Sequence, residues 1–434
     1  MIPLRKSFKI HWQVGVVLGL CFVFVIGLST FSLAEKTTIT ALIGPDTTGF
    51  DHTVVNLFEK ENPNIHVELI EGPHSTDARE EMYIRASEAK ESPYDLVWCD
   101  IIWIPPLAAK GYLLPLDNYL DINQLYAQHF KATVDGSVWK GKVYRVPAMS
   151  DAGLIYYRKD LLAKGGFSPP ETFDDLTSTA QKLQDPARGL WGFVFQGAEY
   201  EGLDCFYLEW LWGNGGYYYD PKTRKVGIDS PEGIGATKLL VDLIYKYKIT
   251  PKDVLAFQEE ESRHFFQNGK SVFLRNWPYV WILANKPDVP VAGKIGAKPE
   301  VHAPGQKPYA TQGGWGFAIS NFIESEKISA AVKFARYHAS YKIQKLSVKI
   351  AGRDASMRAI YYDPEVLKWN PHFAWLRDVL EHTRWRPATP IWPELSDIMA
   401  KYLHKAMIKE LTPEEANKEM AKEARRAVKE YWEE

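Results

Sequence analysis

From residue 37 onward the chain alternates β-branched runs with stretches whose apolar residues recur at helical spacing. Thr37 to Ile43 predicts a strand. Phe50 to Lys60 predicts a helix, with Val54, Val55, Leu57 and Phe58 along it and Asn62-Pro63-Asn64 as its stop. Ile65 to Ile70 reads as a second strand, Thr76 to Lys90 as a polar helix, and Tyr94 to Cys99 as a third strand between Pro93 and Asp100. Such alternation implies βαβ units and a mainly parallel sheet. Open sheets of this kind bind ligands beyond the carboxyl ends of their strands. Asp46, just past the first strand, and Asp100, just past the third, therefore fall on one rim.

Further along, Val138 to Tyr144 predicts a hairpin around Trp139-Lys-Gly-Lys, followed by Val146-Pro147 and a strand over Gly153 to Tyr157. Helices are predicted over 172–184, 202–212, 231–247 and 259–268, and Val272-Phe273-Leu274 is a strand leading into Asn276-Trp277-Pro278-Tyr279. Residues 285–314 carry five prolines, Pro287, Pro290, Pro299, Pro304 and Pro308, with several glycines, a linker-like composition. Gly316 to Ser320 is again a strand, and from Ser325 onward the pattern is helical. Thr412-Pro413-Glu414-Glu415 forms a capping box with proline in the first turn of the terminal helix.

The first 34 residues follow different rules. Arg5, Lys6 and Lys9 form a cationic start, an apolar stretch runs from Trp12 to Leu28, and Ser32-Leu33-Ala34 offers small residues for a signal peptidase, so residues 1–34 are expected to be a cleaved export signal. The stretch is also long enough to serve as an uncleaved anchor. Either way the body is exported, and a periplasmic location follows. The chain of 434 residues, with 46% hydrophobic and 24% charged residues, must fold into more than one domain and is neither disordered nor polytopic. Lys+Arg 52 against Asp+Glu 54 excludes a large basic footprint, so no nucleic-acid partner is expected. Cys99 and Cys205 are the cysteines left after the leader, and two so far apart read as free thiols.

Trp 15, Tyr 23 and Phe 20 make an aromatic surplus without a basic one, which suits sugars. Catalytic signatures with specific spacing are missing: Asn268-Gly269-Lys270-Ser271 is a helix stop, and no zinc, nucleophile-elbow or dinucleotide pattern occurs. No cofactor and no metal is expected. His302, His338 and His372 read as surface or capping residues. What remains is a set of carboxylates and aromatics at strand ends. Vicinal hydroxyls both donate and accept, so carboxylates and guanidinium groups hold them while ring faces stack on sugar C–H faces.

The segments Tyr94–Leu116, Gly141–Pro147 and Gly153–Leu162 resemble the extracellular solute-binding proteins, family 1, of ABC sugar importers. So do Pro169–Leu176, Phe266–Lys270 and Gly313–Ser320, in the same order along the chain. Tyr200–Cys205, Asn276–Tyr279 and Arg386–Glu394 are most similar to the trehalose/maltose-type members. The resemblance implies an α/β, two-lobed periplasmic-binding-protein fold (type II-like), with a hinge and the ligand in the interlobe cleft. It divides the chain into a signal peptide (1–34), a first lobe (35–150 plus about 290–342) and a second lobe (151–289 plus about 343–434). It implies a monomer that hands a di- or oligosaccharide or α-glucoside (trehalose, sucrose, maltose or glucosylglycerol) to the transmembrane subunits of an ABC permease. A secreted glycoside hydrolase acting on α-glucosides is the competing reading; it needs two carboxylates flanking one bond.

Carried onto this sequence, the resemblance places ligand contacts at Asp46 or Thr47, Arg79, Asp100 and Asp151, and at Trp277, Tyr279, Gly314, Trp315 and Arg386. Glu260 stands for a group, Glu259 to Glu261, whose register is open. Each has a structural alternative: Asp100 and Asp151 as caps, Trp277 and Trp315 as core, Arg386 as an ion-pair partner. Glu201 reads as structural, at the start of the helix over 202–212.

Overall fold

The computed structural model describes residues 36–90 and 93–433; the leader expected over 1–34 lies outside the described residues. The opening βαβαβ run forms where the periodicity places it: β1 (Thr37–Ile43), α1 (Phe50–Glu61), β2 (Ile65–Glu71), α2 (Thr76–Glu88) and β3 (Leu96–Asp100). Helix α1 buries Phe50, Val54, Val55 and Phe58, and Ser75 caps α2 by accepting from the Ala78 N–H. The chain continues through β4 (Arg145–Pro147), β5 (Asp151–Ala152), β6 (Leu154–Arg158), β7 (Trp191–Val194), α3 (Glu201–Gly213), α4 (Glu259–Gln267) and β8 (Ser271–Asn276). It ends with β9 (Ile295–Lys298), β10 (Gln312–Gly313), β11 (Trp315–Ile319), α5 (Ile328–His338), α6 (Tyr341–Ala351), α7 (Trp392–Met407) and α8 (Pro413–Glu433).

Two sheets centre two lobes. The first has the order β2-β1-β3-β11-β4 and the second β9-β6-β8-β7. The chain passes between them through β5 and β10, which pair antiparallel with Ala152 opposite Gln312 and Asp151 opposite Gly313. A third passage follows α6, where Ala355 bridges to Met149.

Three expectations need correction. The sheets are mixed rather than mainly parallel: β11 runs antiparallel to β3 and to β4, and β6 antiparallel to β8 and to β9. A strand returning from the other lobe enters at the hinge end and needs no helical crossover, so it points the opposite way. The proline-rich stretch 285–314 is not a simple linker, since it contributes β9 to the second sheet; the return to the first sheet falls at 312–314, not near 290. His338 and His372 are not surface residues, although His372 does stand at the N-cap position of the helix Phe373–Glu381, as the capping alternative expects. His338 is buried 3.3 Å from the Asp51 carboxylate, and the buried His372 ring sits 4.6 Å from that of Trp281. The capping box at Thr412 and Glu415 forms reciprocally, and both cysteines are buried and free.

The second lobe is organised around a fully buried ion pair. Arg275, in β8, donates Nε and Nη2 to the two Glu209 carboxylate oxygens at 2.8 and 2.6 Å and Nη1 to Gln196 Oε1 at 3.0 Å. Glu209 Oε1 also accepts the Thr311 N–H at 2.9 Å, which ties the pair to the residue before β10. Space for it depends on Gly153, where a Cβ would stand 1.9 Å from Glu209 Oε1. Breaking such a pair leaves an uncompensated buried charge and costs about 3–5 kcal/mol. Glu209→Ala should therefore lower the melting temperature by several degrees, whereas an exposed control, Glu81→Ala, should leave it unchanged in the same thermal denaturation series.

Candidate functional site

A cavity of about 740 Å³ opens between the lobes. Its floor is the hinge pair, with Asp151 on β5 and Gly313 on β10. The first lobe contributes Thr47 and Thr48 from the β1–α1 loop, Asp100 from the end of β3, and Trp315 from the start of β11. The second lobe contributes Glu201 at the first turn of α3, the first turn of α4, and Trp277 and Tyr279 just beyond β8. Arg386 comes from the irregular segment between the helix Phe373–Glu381 and α7.

Arg386 joins the two sides. It is buried, and it donates Nη1 to Glu201 Oε1 at 2.7 Å and Nη2 to Asp100 Oδ1 at 3.1 Å. Asp100 Oδ1 also accepts the Ile102 N–H at 3.2 Å, so the cap alternative and the site reading hold together for this residue. Glu201 accepts from the Trp392 indole N–H at 3.1 Å and from the Ser396 hydroxyl. Burial pushes the Glu201 carboxyl up to about 7, against the pull of the Arg386 charge. Across the cleft Asp77, on α2, accepts the Glu201 N–H at 3.5 Å and is itself pushed up to about 6 by burial.

Trp277 has the Arg275 guanidinium 4.3 Å from the centre of its ring, and the indole borders the cavity. Tyr279 donates its hydroxyl to Glu260 Oε1 at 2.7 Å. Glu260 is further bound by Arg263, and although burial alone would raise its pKa, these donors hold it below the usual carboxylate range. Glu259, one residue earlier, is pushed upward by burial. Asp151 is buried with Oδ1 free of any hydrogen-bond partner, and burial, reinforced by the Asp100 charge, pushes it up to about 7.

Of the candidates drawn from the sequence, Thr47, Asp100, Asp151, Glu260, Trp277, Tyr279, Trp315 and Arg386 therefore meet around one cavity. Three do not line it. The Asp46 carboxylate is turned to α1, where it accepts from the His52 backbone and ring at 3.0 and 2.9 Å. Arg79 donates to the Pro73 and His74 carbonyls and lies 5.3 Å from the Trp315 ring centre, so it backs that indole rather than facing the space. Gly314, at φ 151°, turns its carbonyl to Arg145 at 2.7 Å, and the neighbouring Gly313 faces the cavity instead. Sequence reasoning missed Glu201 and Arg263, while all three members of the open-register group Glu259 to Glu261 border the cavity. The Glu201 side chain is recognisable only through its partner Arg386, 185 positions away.

Residues 32–345 match the bacterial extracellular solute-binding protein pattern. A probable ABC transporter-binding protein of Deinococcus radiodurans is 33% identical over 409 residues, covering 92% of this chain and 94% of that one. The maltotriose-binding protein of Pyrococcus abyssi is 24% identical over 310 residues, covering 70% of this chain and 63% of that one. Among solved structures, maltose-bound T. maritima MalE3 superposes with a TM-score of 0.86 at 37% identity, covering 90% of this chain and 100% of that one.

The raised Asp151 carboxyl has a thermodynamic consequence with a definite sign. Between the ordinary carboxylate range and about pH 7 the folded chain holds a proton there that the unfolded chain has lost, so this group makes stability fall as pH rises through that window. Asp151→Asn removes the titration. Its melting temperature relative to wild type should shift upward between pH 4.5 and pH 8, by roughly 1–2 °C for a change of about 1–2 kcal/mol in a chain of this length, as read by calorimetry at the two pH values.

Proposed function

The chain belongs to the bacterial extracellular solute-binding protein family, and we propose that it is the sugar receptor of an ABC importer, taking a di- or oligosaccharide or an α-glucoside. The observation that carries this reading is the cleft itself. A guanidinium fixed between two carboxylates, an unpartnered buried carboxyl and a rigidly backed indole meet in one space of about 740 Å³. Pockets for small molecules span about 300–1,000 Å³ and combine apolar faces with a few placed polar groups. Maltose is the first candidate, on the 37% identity to maltose-bound T. maritima MalE3; trehalose, sucrose and glucosylglycerol complete the set.

The first lobe then runs over 36–150 and 314–352 and the second over 151–313 and 353–433, following the sheet memberships and the three passages. Export by the segment 1–34 to the periplasm, delivery to the permease's transmembrane subunits and a monomeric state complete the proposal. Among the described residues no helix is long and apolar enough to cross a membrane. The hydrolase alternative is less well supported: Asp100 and Glu201 both engage Arg386, and Glu260 engages Arg263 and Tyr279, which leaves them poorly placed as a free acid and base.

Isothermal titration with maltose, trehalose, sucrose and glucosylglycerol tests the reading, with one strong event expected for at least one of the four. Trp277→Ala should weaken that event roughly thirtyfold, since truncating a stacking anchor costs about 2 kcal/mol. Asp151→Ala should weaken it about ten- to a hundredfold, for one hydrogen bond to a charged or strongly polarised group. Prolonged incubation of wild type with sucrose or trehalose should release no reducing sugar. Release that disappears in the Asp100→Asn or Glu201→Gln variant would establish hydrolysis instead.

A further inference from the structure

A second cavity, of about 930 Å³, meets the cleft at one shared side chain, Arg386. Its rings come from Trp212, Tyr217, Tyr309 and Trp385, with the buried Tyr218 and Tyr219 behind them. Trp212 is buried, but Tyr217 is 37% exposed, and Tyr309 and Trp385 are half-buried, so three faces are open to a ligand. The Arg384 guanidinium lies 4.8 Å from the Trp212 ring centre and 5.3 Å from that of Tyr309. Among the described residues its side chain has no carboxylate partner within ion-pair distance, and its five donors point to no acceptor of the protein. Its backbone is fixed, donating to Ala310 O at 2.9 Å and accepting from the Gln312 N–H at 2.8 Å, beside β10. Trp385 is wedged against the first lobe, its ring filling the space a Cβ on Gly136 would need.

The charges of this lining balance. Arg384 and Lys222 stand against Asp135 and Asp220, and Arg386 is neutralised by Asp100 and Glu201. The Asp135 carboxylate already binds Lys131 and Tyr126, and Asp220 binds the Lys222 N–H and Thr223 hydroxyl. Both carboxylates being committed, no cation has a counter-charge waiting for it. Open aromatic faces beside the uncommitted N–H donors of Arg384 suit a flat, hydroxyl-rich ring that offers oxygens to them.

We propose that this cavity is a second saccharide-ring site, separate from the cleft, which takes a pyranoside against Tyr217 and Trp385 with Arg384 donating to its ring-substituent oxygens. It takes only the choice of probe from the cleft reading. Saturation-transfer NMR and calorimetry with maltose and methyl α-D-glucopyranoside test it in three proteins: wild type, the cleft variant Trp277→Ala/Asp151→Ala, and the variant Tyr217→Ala/Arg384→Ala. Wild type should bind in two events, the second at least a hundredfold weaker. The cleft variant should lose the strong event and keep the weak one. The second variant should lose the weak event and keep cleft affinity within twofold, and Arg384→Gln alone, a change at an exposed position, should weaken it tenfold or more. A single event in wild type, or a weak event that survives both Tyr217→Ala/Arg384→Ala and Arg384→Gln, overturns the proposal. A weak event without any strong one leaves it standing and overturns the cleft reading instead.

Discussion

A guanidinium taken out of water calls for acceptors, and Arg386 meets that call at Nη1 and Nη2 with one carboxylate from each lobe, Glu201 at the start of α3 and Asp100 at the end of β3, while its Nε has no partner. Much of the cleft's arrangement follows. Glu201 can sit buried beside this cation because Trp392 and Ser396 of α7 supply its remaining donors, which docks α7 against α3. Asp100 can serve because the end of β3 also uses it as a cap. Removing any one of the three would strand a buried charge, so the lobes share an electrostatic knot as well as covalent passages.

The second organising feature is a surplus of acids over cations. Asp77, Asp151, Glu201 and Glu259 are all pushed upward, in each case first by burial. Asp77, Asp151 and Glu201, pushed up to about 6, 7 and 7, act as hydrogen-bond donors as well as acceptors near neutral pH, because part of the population retains its proton. A wall that can do both matches a hydroxyl, which also does both. Trp277 supplies the apolar counterpart, held in place by Arg275 and, through it, by the buried Glu209.

The sequence made the local architecture readable wherever a period or a cap was decisive. The first five elements and the Thr412 capping box follow from short-range patterns. Helix α4 begins at Glu259, where the pattern places it, because Gln258 and Glu261 cap it reciprocally. Strand direction was not readable, since a chain that returns through a hinge carries no local mark of which way it will run. The proline-rich stretch misled for a related reason: its prolines punctuate β9 without excluding it from a sheet. At the site, residues at or beside strand ends were legible, and Asp100, Asp151 and Trp277 all border the cavity. Asp46 sits at such a position too, but the nearby His52 claims its carboxylate. Glu201 was read as structural because only the tertiary fold sets Arg386 beside it.

The connection between the lobes is also a mechanical element. β5 and β10 are two residues each, joined side by side, and the passage at Ala355 bridges to Met149 just before β5. A ribbon that narrow is compliant to bending across its plane, because few hydrogen bonds need to tilt, yet it resists shear within the plane, because sliding would break the Asp151–Gly313 and Ala152–Gln312 pairings together. Three tethers side by side also suppress twist. The joint therefore has one soft degree of freedom, and the relative displacement of the two sheets reduces to a single angle.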